Sequence, residues 1–158
     1  TVLDGLFSRK AKAKGMIALA DFSQTNIPMM NHLVAVRKSY LQRQPEIVDN
    51  VLRALVEGLA FTWAPKSKSA VLKSVMRRLR ITEMSFVEDG YQELLTRGGL
   101  EKKPHPSLEG VRNVQRLMQI SNPRVGEIKL EEIVDRSIMH KLDDSGFIDR
   151  MYSVYPAK

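Results

Sequence analysis

Two spacings of apolar residues occur along the chain, and each predicts a different kind of element. Short unbroken runs come first. Met16–Phe22 (MIALADF) and His32–Val36 (HLVAV) are brief, apolar and partly β-branched, as strands buried on both faces are. Ser8–Gly15 ahead of them is basic and alanine-rich and ends in glycine, which predicts a surface helix or turn. Ser23–Asn31 places turn-forming polar residues before Pro28 and is expected to be a loop.

From Arg37 the spacing changes to threes and fours. Pro45-Glu46 suits a helix start, and Val48, Leu52, Leu55, Val56, Leu59 and Trp63 behind it make one apolar face. Asp49–Arg53 and Arg53–Glu57 are i,i+4 pairs on its exposed side, and Pro65 closes it. A second helix is predicted at about residues 67–79, with Val71, Leu72, Val75, Met76 and Leu79 inward and Lys73, Arg77 and Arg78 outside. A third is predicted from Thr82, as N-cap, to Arg97, with Phe86, Val87, Leu94 and Leu95 inward and Gly98-Gly99 as its stop. Lys102–Ser107 cannot be helical, because Pro104 and Pro106 each push the preceding residue towards an extended conformation. Ser107 caps a fourth helix through about Ile120, with Leu108, Val111, Val114, Leu117 and Met118 inside. Asn122-Pro123 interrupts again. Lys129–Leu142 reads as one long last helix, Gly146 terminates it, and Phe147–Tyr152 adds a short amphipathic turn. One or two strands beside about five helices make no sheet of independent stability, so the pattern implies a partial fold.

Composition narrows the function classes. The 158 residues are 43% hydrophobic and 27% charged, which fits a globular domain with a core and excludes wholesale disorder. No apolar run is long enough for a transmembrane helix, and no charged-then-apolar-then-small leader pattern opens the chain. Zero cysteines exclude disulfides, thiolate metal sites and cysteine nucleophiles. The net charge of +7 is lopsided: residues 1–80 hold 14 basic and 5 acidic residues, residues 81–158 hold 11 and 13. That asymmetry suits either a polyanionic partner, such as nucleic acid or a membrane surface, or a plain solvated basic face.

Catalytic patterns are sparse. His32, His105 and His140 lie far apart, without the HExxH spacing or the Cys/His cluster of a metal site, so no metal is expected. The phosphate-cradling GxxxxGK[ST] and GxGxxG turns and the GxSxG elbow do not occur, and no cofactor is expected. Glu131-Glu132 and Asp143-Asp144 are adjacent carboxylates that point in different directions on a helix, which is poor geometry for paired acid/base work. No catalytic residue is assigned, and the chain is not read as an enzyme. The basic stretch Lys66–Arg80 could lie along a phosphate backbone, but no aromatic residue interleaves with its cations to stack on bases. Nucleic acid is therefore not the expected partner, although a basic helical nucleic-acid-binding or adaptor domain is the alternative reading.

The order of several phrases resembles a known family. His32–Phe61 is similar to the return strand and following helix of extracytoplasmic solute-binding proteins for ABC importers of the nitrate/sulfonate/taurine type, a family that includes thiamine-pyrimidine-precursor binders. The matching residues are Arg37, Tyr40 and Leu41, then Gln44, Pro45 and Glu46, then Leu52, Arg53, Ala54, Leu55, Glu57 and Gly58. Lys103–Val111 (KPHPSLEGV) resembles the family's KPYPSxEGV. Asn122-Pro123-Arg124, Val134-Asp135-Arg136-Ser137 and Ser145–Asp149 (SGFID) resemble its ending.

This resemblance runs from about Gly15 to Tyr152 and implies an α/β, type II periplasmic-binding-protein-like fold. The chain would be its helix-rich carboxy-terminal half, with one to three short strands and about five helices. Residues 1–22 would end the second lobe, 23–36 would form the hinge or crossing segment, and 37–158 would be the helical part of the first lobe. The implied function is periplasmic or extracytoplasmic capture of a small solute (a sulfonate, nitrate or another small organic molecule) in an inter-lobe cleft. Its implied partners are the solute, a membrane ABC permease, and either a missing amino-terminal half or further copies in a homo-oligomer. An enzyme on the same fold, with its catalytic half elsewhere, is the other alternative. The crossing segment supplies the implied ligand-binding residues Met30, Asn31 and His32. Taurine-type members carry an acid near this place; Asn31 and His32 are not acids, so an ammonium ligand is not implied. Asn31 donates and accepts, His32 can be cationic near its ordinary pKa of ~6.5, and Met29 and Met30 would give a soft apolar wall. The plainer alternative has Asn31 capping a turn and His32 starting a buried strand.

Overall fold

The computed structural model describes Leu3, residues 5–21, Thr25, and residues 27–30, 32–96 and 100–156. Among these residues there are nine α-helices, two short 3-10 turns and no strand. The expected α/β, type II periplasmic-binding-protein-like architecture is thus corrected to an all-helical one. The described residues of Met16–Phe22 and those of His32–Val36 form no strand. A strand exists by borrowing hydrogen bonds from a neighbour, and the described residues supply no neighbour. Burial fails with pairing: Ile17 is 86% and Leu19 97% exposed, and Leu33, Val34 and Val36 also face solvent. Phe22, Ser23, Gln24, Asn26 and Asn31 of the expected strand and loop lie outside the described residues.

Two compact units divide the chain, one of residues 1–25, 59–102 and 152–158, the other of residues 26–58 and 103–151. The first is built on α1 (Gly5–Ala13), α4 (Lys68–Leu79) and α5 (Met84–Thr96). Its core is Leu72, Val87 and Tyr91, with Val71, Val75, Met76, Ile81 and Leu95 packed round them. Tyr91 is buried tip and all. Its hydroxyl donates to the Thr62 carbonyl at 2.8 Å, which satisfies the buried polar end, and burial raises its pKa. Lys68 pairs with Glu88 between α4 and α5. Arg9 pairs with Glu93 at 2.7 Å, and Phe7 meets Phe86 edge-on at 6.3 Å, which seats α1 on α5. Elsewhere in this unit the Lys102 ammonium lies 5.1 Å from the Trp63 ring centre and 5.7 Å from that of Tyr152. Burial pushes the Tyr152 hydroxyl up to about 12.

Helix ends in this unit depart from the predicted ones. α5 begins at Met84, with the Val87 N–H bonded to the Glu83 carbonyl, so Thr82 is not its cap. Its predicted stop, Gly98-Gly99, lies outside the described residues. α4 ends in a left-handed turn at Arg80, φ 55° and ψ 39°, where the N–H groups of Arg80 and Ile81 both reach the Met76 carbonyl. Leu79, predicted inward, is 60% exposed beside that turn. Glycine usually occupies such a position, because a Cβ there costs roughly 1–2 kcal/mol.

The second unit holds α2 (Lys38–Arg43), most of α3 (Pro45–Trp63), α6 (Leu108–Gln119), α7 (Leu130–Ile133), α8 (Ser137–Asp144) and most of α9 (Phe147–Val154). α3 starts at the predicted Pro45, and Asp49 pairs with Arg53 on its flank. Ser107 caps α6 as predicted: its Oγ accepts from the Gly110 N–H at 3.1 Å. Gln115 holds the following 3-10 turn, Pro123–Glu127, by donating to the carbonyls of Val125 and Ile128, both at 2.8 Å. Leu117 and Met118, predicted inside, stand exposed.

The long helix predicted at residues 129–142 is two. Asp135 accepts from the Ser137 N–H at 2.8 Å and from its hydroxyl at 2.6 Å, which offers the backbone a local turn in place of helix. The same bonds hold the Asp135 carboxyl below its ordinary range. Leu130, Met139, Leu142 and Ile148 are buried, and Gly146 at φ +68° ends α8.

Arg80→Gly is expected to raise unfolding free energy by roughly 0.5–1 kcal/mol, relief of the left-handed strain exceeding glycine's extra chain entropy. A higher urea midpoint at unchanged slope is the readout; an unchanged or lower midpoint would mean the turn stores no strain. Ser107→Ala, read the same way, is expected to cost about 1 kcal/mol through the lost cap.

Candidate functional site

The polar cluster richest in titratable groups lies within the second unit, on the Lys103–Ser107 segment, α8 and α9. Pro104 and Pro106 keep the segment extended, and the His105 N–H turns back to the Lys103 carbonyl at 2.8 Å. This presents two side chains together. Lys103 Nζ donates to Asp143 Oδ1 at 2.6 Å and lies 3.2 Å from Asp149 Oδ1. His105 Nε2 meets Asp143 Oδ2 at 2.9 Å, so one carboxylate is held at both oxygens. The His140 ring lies 5.0 Å from the His105 ring, tilted by 36°.

The electrostatics follow from these contacts. The Lys103 ammonium, and after it the His105 imidazole, hold the Asp143 carboxyl below its ordinary range. Asp143 and Asp149 in turn raise the Lys103 pKa. His paired with Asp is half of a nucleophile-activating arrangement, since the carboxylate orients the ring. The other half is missing: His105 Nδ1 is buried with no hydrogen-bond partner, so no hydroxyl is aimed at it. No group of three or more His, Asp or Glu among the described residues is arranged to hold a metal ion. What the cluster does well is tie. It fastens the segment entering α6 to the α8–α9 corner.

Of the three residues read from the sequence as ligand-binding, the structure describes two, Met30 and His32. Met30 is half-buried against α6: a Cβ at Gly110 would stand 3.1 Å from the Met30 backbone nitrogen, and Asn113 Nδ2 donates to the Pro28 carbonyl at 2.9 Å. The absence of a side chain at Gly110 lets the two backbones lie this close without either giving way. His32 is exposed, and Asn31 lies outside the described residues. Shallow depressions lie elsewhere. One in the second unit, of about 400 Å³, is lined by Pro45, Glu46, Asp49, Asn50, Ile138 and Lys141. There Asp49 is held below its ordinary range chiefly by Arg53, with Lys141 at 3.5 Å. Another, in the first unit, is lined by Lys73, Met76, Arg77, Arg80, Ile81 and Thr82.

Sequence reasoning missed the Lys103–His105–Asp143 cluster because its members are about forty positions apart. The legible signal was the K-P-H-P run, in which two prolines stiffen a cation and an imidazole for presentation. Comparison with the profiles of known protein families, with curated proteins and with solved structures finds no match to this chain.

The sign of the pH effect is fixed by Asp143. A carboxylate with a depressed folded pKa contributes stability that is full above its unfolded value, near 3.9, and is lost as pH falls through the folded value. Lys103 works oppositely: its contribution is present below its unfolded value and lost as pH rises through the folded one. Asp143→Asn is therefore expected to reduce the urea midpoint at neutral pH and to converge with the parent in strong acid. A constant difference across the acid range would rule the clamp out.

Proposed function

We propose that this chain serves in the capture of a small solute outside the cytoplasm for delivery to an ABC permease, as the resemblance to nitrate/sulfonate/taurine-type receptors implies. One observation supports it most. The phrases that carry the resemblance, although far apart in sequence, meet physically: Lys103 of KPHPSLEGV bonds Asp149 of SGFID, and His105 bonds Asp143 just ahead of it. Other matched residues mark joints, with Ser107 capping α6, Asp135 stopping the chain before α8, and Gly146 closing α8. Caps and stops of this kind are what such phrases would encode in a common helical framework.

Solute capture also accounts for the apolar irregular segments. Residues 16–20 and 32–36 display Ile17, Leu19, Leu33 and Val34 to water, at roughly 25 cal/mol for each Å² of apolar surface left uncovered. In this reading an amino-terminal half, or a second copy, covers them. The ligand would be an anion or neutral polar molecule, with Asn31 and His32 as its nearest polar groups.

Thermal melts of the full chain against nitrate, short alkanesulfonates and small carboxylates test this. A true ligand at a hundred times its Kd stabilises by about 2.7 kcal/mol, and Asn31→Ala with His32→Ala is expected to remove the shift. Indifference to the whole panel would sink the reading.

A further inference from the structure

The depression at the end of α4 combines charge and apolar surface in a way the solute reading does not use. Lys73, Arg77 and Arg80 rim it, Met76 and Ile81 line it, and Thr82 adds a hydroxyl. Beside it Leu79 is 60% exposed, and Arg78 also stands in solvent. The unit to which α4 belongs carries 13 of the 25 basic residues and only 7 of the 18 acidic ones. Helix electrostatics explain Arg77 and Arg78 near the C-terminal end, where cations are favoured. They do not explain an exposed leucine among them, nor an arginine in a left-handed turn that suits glycine.

We infer that this end of α4 docks on an anionic lipid surface, its cations on the headgroups and Leu79, with the uncovered edges of the half-buried Met76 and Ile81, against the acyl boundary. Charge complementarity selects the occupant. A phosphodiester backbone would answer the cations but leave the apolar residues in water, and no aromatic ring lines the depression to stack on bases. A small solute would need enclosure, and this shallow surface encloses nothing. A lipid interface answers both halves at once, which is the chemistry of amphipathic surface helices. The left-handed Arg80 then has a reason, since it places a guanidinium where glycine would give only a turn.

Co-sedimentation of the full chain with vesicles tests this, using phosphatidylcholine alone and phosphatidylcholine mixed with an equal amount of phosphatidylglycerol. Partition onto the mixed vesicles alone, falling steeply with salt, is the expected result. Lys73→Gln with Arg77→Gln, both at exposed positions, is expected to lower that partition roughly 30-fold, at about tenfold per 1.4 kcal/mol. Arg112→Gln with Arg116→Gln on α6 is expected to leave it unchanged. Equal binding to both vesicles, an unaltered Lys73/Arg77 double variant, or displacement from vesicles by duplex DNA at equal charge would each overturn the inference. Solute-dependent melting is a separate readout, so the two proposals fail separately.

Discussion

Backbone hydrogen bonding decides what this chain can become. A helix closes its N–H and C=O groups within itself, four residues apart, and needs a neighbour only for its apolar stripe. A strand needs a second strand before its first ladder bond exists. Residues 38–96 and 108–154 consist largely of segments that meet the first condition, and they are helical. Residues 16–20 and 32–36 have the composition of strands but no strand partner among the described residues, and they stay irregular and exposed. Twenty-three large apolar side chains are exposed among the described residues against eleven buried hydrophobic ones.

Within the second unit, order passes from joint to joint. The prolines at 104 and 106 reduce the freedom of the unfolded chain at little native cost, because the segment is extended anyway. Lys103 and His105 then need only find Asp143 and Asp149. Exposed ion pairs are worth at most about 1 kcal/mol each, so the cluster sets geometry more than it adds stability. That geometry places Ser107, whose cap starts α6, and α6 carries the glycine on which Met29 and Met30 lie. A residue assigned to ligand contact from its place in the sequence is thus held by a clamp more than seventy positions away.

Legibility followed the range of the interaction. Pro45-Glu46, Ser107 and Gly146 act through bonds to residues within a turn, and their roles were readable. Asp135 also acts locally, through Ser137, yet Lys129–Leu142 reads as one continuous helix. The two-residue turn won because a side-chain acceptor offered the Ser137 N–H a partner at no cost in chain entropy beyond its own. Tyr91 escaped notice because its burial depends on the Thr62 carbonyl, which no local pattern reveals. The strands were misread for a deeper reason: a short apolar run states that it wants burial, not what will bury it. The ligand residues were placed by the resemblance on the same crossing segment, so they do not follow from the helices that the local pattern made readable.

The uneven charge takes its meaning from the same division of labour. In the second unit several cations are paired with carboxylates: Lys103 with Asp143 and Asp149, Arg53 and Lys141 with Asp49, Arg112 with Glu131. In the first unit Lys68 and Arg9 pair with Glu88 and Glu93, while the run from Lys73 to Arg80 has only one sign of charge. Like charges gathered on one helix end repel, and a marginally stable domain tolerates that repulsion at a cost. Arg80 adds the cost of a left-handed backbone. An anionic interface answers the repulsion and covers the exposed Leu79 at one stroke, and the left-handed backbone at Arg80 is the cost of holding a guanidinium at that place.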